Sequence, residues 1–127
     1  MTRGPDERDD GGQATVEAAL VLPLVVLLLL GVVQVGLLVR AEVLVTHAAR
    51  EAARAAAVDD DPQAASRAAE LATTLDAHRL SVRVEGRDGP GSHVHVEVTY
   101  TAPTDVPLIG SLLGDVTLHA DATMRVE

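Results

Sequence analysis

The sequence predicts an α+β fold: a long N-terminal transmembrane and stem helix, a short second helix, then a small antiparallel β-sheet of about three strands. Three observations carry this. Between Glu17 and Arg40 lie 22 residues without a charge. Beyond them the chain keeps a rough 3.6-residue apolar period to about residue 57. After residue 79 it switches to strict apolar–polar alternation, the signature of half-buried strands.

The first helix is expected over 13–57. Its charge-free part, Ala18 to Val39, would be ~33 Å long at ~1.5 Å per residue, enough to span a bilayer core. Pro23 should kink or soften its first turns. The stem RAEVLVTHAAREAARAAAV continues with strong helix formers. Val43, Leu44, Ala48, Ala52, Ala55 and Ala56 would form its buried side. Arg40, Glu51 and Arg54 lie around the other. Before the helix, residues 1–12 (MTRGPDERDDGG) are too polar to bury and read as a disordered leader.

Asp59-Asp60-Asp61-Pro62 ends the stem. Asp61 suits an N-cap and Pro62 a first helical position. The second helix is expected over 62–77, with Ala65, Ala68, Ala69, Ala72 and Leu75 inward. Strands are expected over 80–85, 93–101 and 117–126. The turn-rich GRDGPGS joins the first two. Val94, Val96, Val98 and Tyr100 share one face; so do Leu118, Ala120, Ala122, Met124 and Val126. The loop between, holding Leu108, Ile109, Leu112 and Leu113, is too apolar to be freely solvated. The part beyond the stem, 58–127, has one aromatic and no disulfide, so its core supplies only ~3–5 kcal/mol at best. It should lean on its own stem or on a partner.

Composition excludes several functions. There is no Cys, Lys, Phe or Trp, and Tyr100 is the sole aromatic. That rules out a disulfide-stapled or cysteine–zinc module, a thiol enzyme and a stacking platform for single-stranded nucleic acid. The net charge of −9 argues against a phosphate-backbone binder. Too few residues remain outside the apolar run to enclose a substrate pocket, so neither enzyme nor cofactor is expected.

A cleaved secretory signal is disfavoured by the acidic leader and the lack of a small-x-small site. A soluble core helix is disfavoured by the length of the run. Charge does not orient the span. Arg3 and Arg8 precede it and Arg40, Arg50 and Arg54 follow, which mildly favours the C-terminal part inside.

The junction reads Gly11-Gly12-Gln13-Ala14-Thr15-Val16-Glu17-Ala18-Ala19-Leu20-Val21-Leu22-Pro23. It resembles the TadE-like family, pilin-like minor subunits of tight-adherence (Tad/Flp) pilus systems. These carry a hydrophilic leader, a Gly, four residues, a Glu, and an apolar run often reading ALVLP. The stem motif His47 to Ala56 is also similar. Ala18 stands where the family usually has Phe, Gln34-Val35-Gly36 replaces a common Glu-Phe-Gly, and the cysteine pair of many members is absent. The resemblance implies a leader of residues 1–12, removed by a prepilin peptidase between Gly12 and Gln13. It implies that Glu17, at mature position five, serves recognition and assembly. It implies partners in other pilin-like subunits along the N-terminal helix and in the bacterial cytoplasmic membrane. The N-terminus would be cytoplasmic and the C-terminal domain outside, in the membrane or within a surface pilus. The competing expectation is an unprocessed single-pass anchor carrying an extracytoplasmic binding or sensor domain.

Independent chemistry points the same way. A carboxylate at the edge of a hydrocarbon run is costly unless paired. A new amino terminus at Gln13 of a neighbouring chain could pair with it. The plainer account of Glu17 is a first-turn acid favoured by the helix dipole. Other candidates are weaker. His93, His95 and Glu97 share a strand face and could, with His119, hold zinc, but a solvated polar face explains them. Asp59-Asp60-Asp61 lacks the remainder of a calcium loop. Arg50, Glu51 and Arg54 read as stem surface and ion pairs.

Overall fold

A computed structural model of the chain describes residues 9–127. Helix α1 runs Asp9–Val58. It starts four residues ahead of the expected 13, so Gly11 and Gly12 are helical. An acid at Asp10 favours the N-terminal end of the dipole and offsets part of the ~1 kcal/mol that each glycine costs. Of the expected leader, residues 1–8 lie outside the described residues. Pro23 sits inside α1, and the helix continues on both sides of it.

The two halves of α1 bury differently. From Val16 to Val39 nearly every Leu and Val is exposed. A helix apolar on all sides and unpacked is suited to lipid. The second half is the spine of the core: Ala41, Val45, Ala48, Ala49, Ala52, Ala53, Ala56 and Ala57 are all buried. This stripe is wider than expected. Ala48, Ala52 and Ala56 are buried as anticipated, Leu44 and Ala55 are half-buried, and Val43 faces outward. The reason is that α1 is gripped from two sides, by the sheet and by a second helix.

That helix, α2, spans Ala64–Ala72, shorter than the expected 62–77. Asp61 caps a turn ahead of it rather than the helix itself. Its Oδ1 accepts the Gln63 N–H at 2.9 Å, and its main-chain oxygen accepts the Ala64 N–H at 3.0 Å. Thr73 is extended and ends the helix; β-branched Thr73 and Thr74 lose rotamer freedom in a helix. Ala65 and Ala69 pack into the shared core. Asp76 then accepts the His78 N–H and caps a short 3-10 turn, Ala77–Arg79.

Asp61 also meets Arg67 at 2.5 Å. The Gln63 N–H first, then the Arg67 guanidinium, hold its carboxyl below the ordinary aspartate value. A lowered folded-state value stabilises the fold above the unfolded value, about 3.9. That contribution is lost as pH falls through the folded-state value. Asp61→Asn should therefore lower the melting temperature at pH 7. The two melts should converge in acid well below about pH 4, by thermal unfolding of the full chain in detergent micelles.

The sheet comprises β1 (Leu80–Glu85), β2 (His93–Ala102) and β3 (Val116–Arg125), antiparallel in the order β1-β2-β3. Val82 pairs with Val98, and Val96 with Ala122. On β2, Val94, Val96, Val98, Tyr100 and Ala102 are buried against α1; on β3, Leu118, Ala120, Ala122 and Met124 flank them, half-buried. Gly86 has φ +79°, where a Cβ would sit 2.9 Å from the His93 oxygen, so the hairpin needs a glycine there.

Between β2 and β3 the expected loop contains a further helix, α3 (Ile109–Leu113). Its place along α1 follows from strand length. At one end of the sheet the Glu127 N–H donates to the Ala57 oxygen at 3.2 Å. From there the strands run back along α1 for roughly 30 Å, which is about 20 helical residues. The α3 connection therefore meets α1 close to Leu37, at the C-terminal end of the charge-free run.

Candidate processing and assembly site

The junction lies on the first turns of α1, clear of the domain. A Cβ added at Gly11 or Gly12 would meet nothing within 4 Å. Gln13 and Glu17 are exposed and one turn apart on the same helix face, and Gln13 Nε2 donates to Glu17 Oε1 at 3.5 Å. Thr15 Oγ1 donates to the Gly11 oxygen at 2.8 Å. Among the described residues Glu17 forms no ion pair within 4 Å. The next residue, Ala18, begins the charge-free run.

This arrangement has two chemical consequences. The Gly12–Gln13 peptide is reachable from solvent, yet it is helical. A protease that binds its substrate extended must first unwind this turn. Two consecutive glycines make that cheap, at about 1 kcal/mol less helix stability each than alanine. Second, the Gln13 amide leaves the Glu17 carboxylate with open acceptor sites at the edge of the apolar run.

The other candidates disperse. His95 Nδ1 lies 2.9 Å from Thr123 Oγ1, and His119 Nδ1 lies 3.3 Å from Thr99 Oγ1 and 3.8 Å from Glu97. His93 is exposed at the start of β2. Among the described residues no group of three or more His, Asp or Glu converges as a metal site. The aspartate run is occupied by its own chain. Asp60 pairs with Arg87 at 2.6 Å, Asp61 with Arg67, and Asp59 Oδ1 accepts the Asp61 N–H at 2.9 Å. Arg50 and Arg54 are exposed and Glu51 half-buried. Among the described residues none of the three forms an ion pair, so the ion pairs expected there do not form.

One residue escaped the sequence reading. Gln34, in the middle of the apolar run, is only 2% exposed, and among the described residues its Oε1 has no hydrogen-bond partner. The signal was its polarity at membrane depth, where such residues are rare and usually face protein.

Residues 12–54 match the family model described as TadE-like protein. The chain matches no curated protein and no solved structure. The matched segment begins at the Gly12–Gln13 peptide, takes in Glu17 and the whole charge-free run, and ends in the buried stem. Through this segment, about a third of the chain, the protein is similar to the TadE-like family.

Proposed function

We propose that this chain is a pilin-like minor subunit of a Tad/Flp-type pilus or a related secretion system. A prepilin peptidase cuts it between Gly12 and Gln13, and the mature chain acts in pilus assembly or initiation. The carrying observation is the geometry at the start of α1. Two adjacent glycines, Gln13 after them and an acid one turn later occupy the uncovered end of an unbroken apolar helix.

On this reading the Gln13 amine of one subunit pairs with Glu17 of a neighbour, and the exposed Leu and Val surface from Val16 to Val33 packs between subunits or against lipid. The leader stays in the cytoplasm and the α+β domain outside. The role is structural: the chain is a peptidase substrate rather than an enzyme. It needs no cofactor and binds neither nucleic acid nor a small-molecule substrate. Losing residues 1–12, with their four acids and two arginines, brings the net charge from −9 to −7.

Co-expression with an active prepilin peptidase tests the processing step. The parent chain should lose the mass of residues 1–12. Gly12→Leu should slow cleavage at least roughly tenfold, because the added side chain both stiffens the helix and crowds the scissile bond. A parent chain left intact by a peptidase that cuts a control prepilin would refute the reading.

A further inference from the structure

We propose that the β2–β3 connection, Val106 to Gly114, is a second membrane contact, a foot that dips into the outer face of the bilayer beside the span. The inference rests on the reading of Ala18 to Val39 as a membrane span. Its first support is position. The strands carry this connection back along α1 to the neighbourhood of Leu37, inside the last turns of that span. α3 packs against α1, and Gln34 is buried at this level. Gln34, 2% exposed, is thus covered by protein at this depth and not left to lipid.

Composition is the second support. From Val106 to Gly114 (VPLIGSLLG) there is no charge, while Asp105 and Asp115 bracket the segment. Val106 is buried, but Leu108, Leu112 and Leu113 are 61%, 77% and 61% exposed. Asp115 lies 3.6 Å from Arg79, which marks the watery side of the loop.

The loop's polar groups give the third. A segment in lipid must satisfy its hydrogen bonds internally. The Gly110 N–H donates to the Val106 oxygen at 3.0 Å and the Gly114 N–H to the Gly110 oxygen at 3.1 Å. Ser111 Oγ donates to the Leu108 oxygen at 2.9 Å, and Thr104 Oγ1 donates to the Gly114 oxygen. Both hydroxyls are spent on the loop's own carbonyls, while Leu108, Leu112 and Leu113 stand exposed. The occupant of this patch is therefore lipid, contiguous with the lipid around the span. The foot holds the domain upright on the membrane before assembly.

The chain has no Trp, so single substitutions report single sites. The full chain would be reconstituted in phosphatidylcholine vesicles containing a minority of phosphatidylglycerol, carrying Leu112→Trp, Val26→Trp in the span, or Leu71→Trp on α2. Lipids brominated either near the glycerol end or near the middle of their acyl chains are the quenchers, the first reporting residue 112 and the second residue 26. Leu112→Trp should emit to the blue of Leu71→Trp and be quenched at least roughly twofold more strongly, as an interfacial side chain is. Quenching at Val26→Trp but not at Leu112→Trp overturns the foot and leaves the anchor standing. Quenching at neither overturns the span and the foot together. A Leu112→Trp emission that follows the protein-to-lipid ratio and not the bromine overturns the foot in favour of contact with a second copy.

Discussion

Glu17→Ala should leave the chain inserted in the membrane and cleaved, yet reduce its incorporation into fibres at least roughly tenfold. A charge-assisted hydrogen bond is worth about 1.5–3 kcal/mol, and a factor of ten needs only about 1.4. The pair would form at the rim of an apolar bundle, where water competes weakly, so the upper part of that range applies. Glu17→Gln separates charge from shape. It can still accept from Gln13, one turn away, but it offers no negative charge to an incoming amine. It should fail nearly as badly as the alanine variant. The measurement is the amount of this subunit in sheared fibres relative to the membrane pool. Normal incorporation of Glu17→Ala would reduce the residue to a first-turn acid on a helix dipole.

A fragment of residues 59–127 should not fold, whereas residues 40–127 should melt cooperatively. Eight of the sixteen residues in the buried cluster come from α1. Val94, Val96 and Val98 are completely buried on the sheet face that α1 covers. Exposing each would cost about 1.5–2 kcal/mol. Three of them already consume the few kcal/mol that so small a domain has to spare. The close approach also depends on alanine. Ala52 is fully buried, so Ala52→Leu in the longer fragment should cost about 1–3 kcal/mol by overpacking. Circular dichroism and urea unfolding check both. A cooperative transition in the 59–127 fragment would show that the stem is an attachment and not part of the core.

The strands were the most legible part of the chain. β1 occupies 80–85 as its alternation indicates, and β2 and β3 depart from it by a single residue at their ends. One face packs on α1 and the other meets water, so a period of two is written into the residue types. The stem was less legible for the opposite reason. Alanine fills both its buried and its exposed positions, and only the arrival of α2 and the sheet decides which alanines are covered. That is why Val45, Ala49, Ala53 and Ala57 were missed and Val43 was misplaced. α3 has five residues, too few to display a helical period. The candidate site was readable because Gly12, Gln13 and Glu17 are neighbours along the chain, and one helical turn brings Gln13 and Glu17 together. The burial of Gln34 was not, since the loop at its level lies some 70 residues further on.

The most direct test is the intact mass and N-terminal sequence of the protein taken from its native membranes. A chain beginning at Gln13 is the predicted result; it would make the Gly12–Gln13 peptide the processing site and free an amine to meet Glu17. A chain beginning at Met1 or Thr2, in cells whose prepilin peptidase is active, would contradict it and leave a single-pass anchor with a small α+β domain.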